Sequence, residues 1–219
     1  MGGDTGLGHA SCAIGGTTEA VLHPEAFGHI DDTAIARALE YALLSALLAH
    51  PPDEALLNRL ARLESEGTAL GRAHMALAEA AAMTDAAAVA REYFDLFIGV
   101  GRGELLPYGS YYLTGFLHER PLARLRADLV RLGIERVDGP GEPEDHAATL
   151  CEIMAGLIVG EFAAPTQRQH QFFEQHLAPW MTRFFADLEA APRAKFYCPV
   201  GAIGRLFIDI ETAAFALPG

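Results

Sequence analysis

Two short strings hold the residues best placed to do chemistry. The first, "FIGVGRGELLPYGSYY", runs from Phe97 to Tyr112 and sets three glycines at alternate positions before a proline and three tyrosines. The second, "EPEDHAATLCEIM", runs from Glu142 to Met154 and sets Glu142, Glu144 and Asp145 beside His146. An acid next to an imidazole suggests general acid–base chemistry, and a glycine-rich loop suggests a phosphate cradle. The spacing argues against both. A dinucleotide fingerprint needs G-x-G-x-x-G between a strand and a helix. Gly99, Gly101 and Gly103 give G-x-G-x-G after a helical pattern, and no G-K-[ST] occurs in the chain. In the second string Pro143 suits the first position of a helix, with Glu144 and Asp145 in the first turn, where the helix dipole favours carboxylates. On a helix from about Pro143 to Phe162, His146 shares an apolar face with Leu150, Ile153 and Leu157. Asp145 shares a polar face with Thr149 and Glu152, and neighbours one residue apart do not face each other. The expectation is a half-buried histidine at the mouth of a groove beside an exposed acid, rather than a catalytic dyad. The glycines read as a helix C-cap at Gly99 followed by a turning loop. The tyrosines read either as half-buried packing or as a contact surface with hydroxyl tips.

The elements that must position these strings read as helix after helix. "DDTAIARALEYALLSALLAH" opens with acids and places Ile35, Leu39, Ala42, Leu43 and Ala46 on one face. Pro51 and Pro52 stop it and Asp53 can cap the next helix, which carries Leu56, Leu57, Leu60 and Leu63. An alanine-rich helix follows. Thr84 can cap a fourth, with Val89, Tyr93, Leu96 and Phe97 at helical spacing. Pro121 suits the first turn of another, stopped at Gly133. Pro165 opens a stripe of Phe173, Leu177, Met181, Phe184 and Leu188 that Pro179 kinks or splits. Pro199 opens a last helix with Ile203, Phe207, Ile210 and Ala214 on one side. No run alternates for long enough to make a strand. The fold class expected is all-α: one multi-helix domain over residues 29–219, in two helical halves joined by a loop hinge at about 99–119.

Composition bounds the partners. The chain has 219 residues, 51% of them apolar, enough for a sizeable core without metal or disulfide support. A net charge of −13 argues against nucleic acid and favours a basic partner. Cys12, Cys151 and Cys198 are too few and too scattered for a disulfide framework or a zinc site, which fits a reducing cytoplasm. Residues 1–28 are glycine-rich, lack the pattern of a secretory signal and read as a flexible tail. No apolar run is long enough to span a bilayer.

Taken together, "YFDLFIG…PYGSYYLTG" and, some thirty residues on, "LGIE…EPEDHAATLCEIMAGL" resemble the TorD-like family of redox-enzyme maturation chaperones, which includes DmsD- and NarJ-type members. The likeness covers roughly residues 35–215. Its signatures are a Y-x-S-x-Y-like string, here Tyr108-Gly109-Ser110-Tyr111-Tyr112, and an E-x-x-D-H-like string, here Glu142-Pro143-Glu144-Asp145-His146. Gly109 stands where a larger residue is common, and the second aromatic of the first string is doubled. The resemblance implies a cytoplasmic, non-catalytic all-helical chaperone without cofactor or metal. Its partner is the apo form of a molybdenum- or tungsten-cofactor oxidoreductase of the dimethyl-sulfoxide-reductase class, held by its N-terminal leader, often twin-arginine, before export. On that reading Asp145, Glu142 and Glu104 meet leader guanidiniums. Leu106, Tyr108, Tyr111 and His146 line the apolar part, with Ser110 between the tyrosines. Residues 135–161 hold seven acids and one arginine, so the groove edge reads as negative. A NarJ-like adaptor for a non-exported subunit is one alternative. A weak GTP-binding or GTP-hydrolysing protein using Asp145 and His146 is another, opposed by the missing phosphate site. A monomer and a domain-swapped dimer both fit.

Overall fold

The computed structural model describes residues 31–65, 67–134, 142–162 and 166–217. The tail expected at 1–28 lies outside them, as does Pro165. Helix after helix is what forms, and the first four are each started by a local side chain. Asp31 accepts from Ala34 N at 2.8 Å and opens α1, Asp32–Ala49. Asp53 accepts from Leu56 N at 2.8 Å and opens α2, Glu54–Leu60. Thr68 accepts from Gly71 N at 2.9 Å and opens α3, Ala69–Ala82. Asp85 accepts from Ala88 N at 2.7 Å and opens α4, Ala86–Tyr93. The cap of α4 is therefore Asp85 and not Thr84. Of two adjacent oxygen-bearing candidates, the carboxylate takes the position, adding its charge to the helix dipole.

α4 widens into a π-turn, Phe94–Ile98, that ends at Gly99 with φ +62°. The loop then folds back on the π-turn, with Leu105 N donating to Leu96 O at 2.8 Å. A Cβ at Gly99 would stand 2.1 Å from Arg102 O, so both the dihedral and this close return require glycine. The first string continues into the short α5, Gly109–Thr114. Next come α6, Arg120–Arg131, with Pro121 in its first turn, and α7, Ala147–Val159. α8, Thr166–Phe172, passes into a second π-turn, Phe173–Leu177; Pro179 separates it from α9, Met181–Ala190. α10, Tyr197–Phe215, closes the order.

One contiguous core draws on helices from α1 to α10. α7 is buried on nearly every side and packs along α1, while α10 packs against α9 and α3. Two expected stripes are rotated. α1 buries Ala38, Tyr41, Ala42, Leu44, Leu47 and Leu48, so of the expected stripe Ala42 is buried while Ile35, Leu39, Leu43 and Ala46 are only half-buried. From Tyr41 to Ala49 every residue but Ser45 is apolar, so the pattern alone does not select its inner face there. On α10, Ile210 faces solvent and Glu211 turns inward, where Arg37 Nε donates to it at 2.7 Å and Tyr41 Oη at 3.1 Å. An ion pair joining α1 to α10 thus displaces the end of the expected apolar stripe. Among the described residues no helix is long and apolar enough to cross a membrane.

Candidate functional site

The two strings meet in space. Tyr108 and His146 form an isolated antiparallel bridge. Gly109 N donates to Asp145 O at 2.9 Å and Ala147 N to Pro107 O at 2.8 Å. The Asp145 carboxylate then reaches across, with Oδ2 accepting from Ser110 N at 2.7 Å. α5 has no side-chain cap of its own, and Asp145 supplies one from across the bridge. The Tyr108 ring meets the His146 ring edge-on with centroids 5.1 Å apart, and its hydroxyl donates to Glu142. Burial first, and then the Glu142 carboxylate, raise the Tyr108 hydroxyl pKa well above its ordinary value.

This geometry corrects the expected start of α7. Residues 143–146 form a turn closed by His146 N donating to Pro143 O at 3.0 Å, and the helix begins at Ala147. His146 is the N-cap, extended at φ −65° and ψ 139°, and its Nδ1 accepts from Ala148 N at 3.1 Å. Asp145 is 3% exposed and His146 6%, so neither sits at a groove mouth as the helical reading required. Nδ1 as acceptor places the ring proton on Nε2. Burial lowers the His146 pKa to about 4, so the imidazole is neutral. With Nδ1 given to Ala148 and Oδ2 to Ser110, the two side chains serve separate backbone partners instead of forming a dyad. Glu144, beside them, is buried and takes Arg126 of α6 in a two-pronged pair, with Arg126 Nε and Nη2 at 3.0 and 2.9 Å from Oε2.

A cavity of about 570 Å³ opens beside the bridge, between α5, α6, the start of α7 and the second π-turn. Gly109, Leu125, Asp128, Asp145 and Trp180 line it, together with Arg124 and Arg131. A Cβ on Gly109 would stand 3.1 Å from Trp180 Nε1, so the indole fills the space a larger residue would need. Trp180 Nε1 donates to His176 O at 2.7 Å, and His176 Nε2 lies 2.9 Å from Asp128 Oδ2. Burial lowers the His176 pKa, and Asp128 opposes the shift. The Asp145 Oδ1 and Ser110 Oγ atoms are buried without a hydrogen-bond partner. An unsatisfied buried carboxylate oxygen is costly, and a strong donor arriving through the cavity relieves that cost.

Five of the eight expected site residues, Tyr108, Ser110, Glu142, Asp145 and His146, therefore lie together. Glu104, Leu106 and Tyr111 line a separate, shallower groove of about 510 Å³, and Leu113 borders both depressions. In the groove Arg102 stacks over Tyr111 and Arg183 over Tyr112, each 5.1 Å from the ring centre. The cavity residues that sequence reasoning missed include Leu113, Leu125, Asp128, His176 and Trp180. Leu113 directly follows the first string, whereas the other four sit on α6, the second π-turn and the turn before α9, with no local pattern linking them to either string. Among the described residues no cluster of His, Cys, Asp and Glu could hold a metal ion.

Comparison with known proteins places these features. Residues 63–186 match the family model of the nitrate reductase delta subunit. The chaperone protein TorD of Vibrio cholerae is 30% identical over 105 residues, 44% of this chain and 48% of that protein. The chaperone protein TorD of Aliivibrio fischeri is 27% identical over 135 residues, 57% of this chain and 63% of that protein. The chain thus spans about half the length of the curated relatives it matches. A solved structure assigned as a redox enzyme maturation protein, from Archaeoglobus fulgidus, superposes with a TM-score of 0.56 at 22% identity. The superposition covers 79% of this chain and 93% of that one, and it establishes the shared all-helical fold.

Proposed function

The chain belongs to the nitrate reductase delta subunit family, and from that premise we propose that it is a non-catalytic chaperone in the maturation of a redox enzyme. On this reading it acts in the cytoplasm. It holds the N-terminal leader of a molybdenum- or tungsten-cofactor oxidoreductase while the cofactor is inserted. The observation that carries the reading is the buried, unpartnered Asp145 Oδ1 beside a cavity of about 570 Å³. A leader arginine is the partner of matching chemistry, because its guanidinium donates up to five N–H groups and keeps its charge when desolvated. Leu113, Leu125 and Trp180 offer the apolar wall for the residues that follow the arginines. The −13 charge of the chain favours approach of a cationic segment. Leaders are disordered when free and order on binding, which lowers affinity and makes release easy.

The test is a calorimetric titration of a synthetic leader that carries two arginines before an apolar run, against the same peptide with glutamines in place of the arginines. The arginine peptide is expected to bind and the glutamine peptide to lose about 1.5–3 kcal/mol, the range for hydrogen bonds to charged groups. Leu113→Glu breaks the apolar wall of the cavity without touching the Asp145 bridge, and it is expected to abolish binding in a folded protein. Equal affinity for both peptides would remove Asp145 from the site.

A further inference from the structure

A second groove, of about 790 Å³, lies between the end of α3, α4 and the segment that links α9 to α10. Three exposed cations line it: Arg91 from α4, and Arg193 and Lys195 from the link. Among the described residues Arg91 and Lys195 have no carboxylate within ion-pairing distance, and Arg193 has only Glu104 Oε2, at 4.0 Å. The groove's own acids do not answer them. Glu92 is occupied with the start of α10, accepting from Lys195 N at 2.8 Å, Phe196 N at 3.2 Å and Tyr197 N at 2.9 Å. That leaves exposed Asp95 as the counter-charge. Met83, at the end of α3, is 89% exposed and borders the same groove, as does exposed Pro192.

In a chain with 29 acids and 16 basic residues, three cations in one groove against the two acids Glu92 and Asp95, with an ion pair only between Arg193 and Glu104 at 4.0 Å, amount to a local excess of positive charge. Arginine and lysine come together here from two elements. Arg91 and Arg193 offer planar donor forks suited to carboxylates, and Lys195 a mobile point charge. We propose that this groove docks an acidic peptide segment of a partner protein, with an apolar side chain of that segment resting on Met83. Charge complementarity selects the acid, and the exposed methionine selects a peptide over an inorganic anion, which gains nothing from a thioether. This docking stands apart from leader binding, since it uses other residues and the opposite charge.

Lys195 is the only lysine in the sequence, so its acylation by an amine-reactive reagent, read by mass spectrometry, reports on the groove directly. The N-terminal amine, on another proteolytic fragment, is the internal control. The probe is a synthetic peptide of glutamates interspersed with leucines, and the control peptide carries glutamine in place of glutamate. With the acidic peptide at twice its Kd, Lys195 is expected to react about threefold more slowly, following site occupancy. The N-terminal amine is expected to react unchanged, and the glutamine peptide to protect nothing. Protection is expected to vanish in about 1 M salt, where the Debye length falls to about 3 Å, and in Arg91→Gln/Arg193→Gln, whose substitutions lie on exposed side chains. Any of four results overturns the proposal. Lys195 reactivity does not respond to the acidic peptide. Inorganic phosphate protects equally, which makes the groove an anion site only. Protection rises with the concentration of the chain alone, which makes a second copy the occupant. Protection persists in the double variant.

Discussion

Asp145 Oδ2 accepts the Ser110 backbone N–H at 2.7 Å, and this contact fastens the acid-rich string to the start of the tyrosine-rich one. A residue that lines the cavity is thereby also a structural clasp. Its two oxygens divide the work: Oδ2 caps α5, and Oδ1 remains buried and unpartnered.

That division separates two substitutions. Asp145→Asn keeps a carbonyl oxygen for Ser110 N and is expected to fold with a stability loss below about 1 kcal/mol. Asp145→Ala removes the acceptor, leaves a buried N–H unpaired and is expected to cost about 1–3 kcal/mol. Both are expected to weaken leader binding. Urea melts of the two variants check the first pair of values; equal stability for both would mean that the clasp carries no weight.

His146 makes the fold sensitive to acid. Its pKa is about 4 in the folded state, held down by burial, against an ordinary value near 6.5. Between those values the unfolded chain binds the extra proton and the folded chain does not. Stability from this group is therefore complete above about pH 6.5 and falls as the pH drops towards 4, by a total of order 3 kcal/mol. His176 is lowered as well and acts with the same sign, so wild type alone does not isolate His146. His146→Asn does isolate it: asparagine is a good N-cap and does not titrate in this range. Thermal melts from pH 4 to 8 are expected to show a flatter acid limb for the variant, and parallel curves would place the titration elsewhere.

Gly109 is held by Trp180. A Cβ there would stand 3.1 Å from Nε1 and 3.3 Å from Cε2 of the indole, tighter than most real contacts. Gly109→Ala is expected to push the ring and strain its 2.7 Å bond to His176 O, costing about 1–3 kcal/mol as overpacking does. Gly109→Ala combined with Trp180→Phe, which removes Nε1 and shortens the ring system, is expected to recover part of that loss. A double-mutant cycle with no coupling would show that the glycine answers to something else.

Much of this molecule was legible in its sequence, for identifiable reasons. Caps and breakers act within a few residues, so Asp53, Gly99, Pro121 and Gly133 marked boundaries that the structure keeps. At the start of α4 Thr84 was the expected cap, whereas the neighbouring Asp85 takes the position. Burial set by distant partners was not legible. Glu211 turns inward because Arg37 and Tyr41 wait for it on another helix, far away in sequence. The largest misreading, a helix from Pro143, came from treating "EPEDH" by itself. Its backbone is held extended at His146 by pairing with Tyr108, and no local rule encodes that partner. The same limit explains why Trp180 and Asp128 went unnoticed beside residues that stood out by type alone.

Trp180 offers the most direct test of where a leader binds. It is the only tryptophan of the chain and lines the cavity, so its emission comes from one known place. The ring is almost fully buried, packs against Tyr112 at 5.5 Å and is pinned through Nε1 to His176 O. An arginine entering towards Asp145 Oδ1 changes the charge near the indole, and the apolar residues after it displace water from the cavity wall. Titration with the two-arginine leader is expected to change the emission intensity or shift its maximum in proportion to occupancy. The midpoint is expected to match the calorimetric Kd. The glutamine peptide is expected to give a smaller change at any given concentration, and Leu113→Glu none. Raising the salt to about 1 M weakens the charged part of the interaction, through a Debye length of about 3 Å, and leaves the apolar part. Residual binding at high salt should therefore still be visible at Trp180. A leader that binds by calorimetry and leaves Trp180 emission unchanged at saturation would mean that it docks outside this cavity, most simply in the groove of Arg102, Tyr111 and Arg183, and Tyr111→Ala would then lower its affinity.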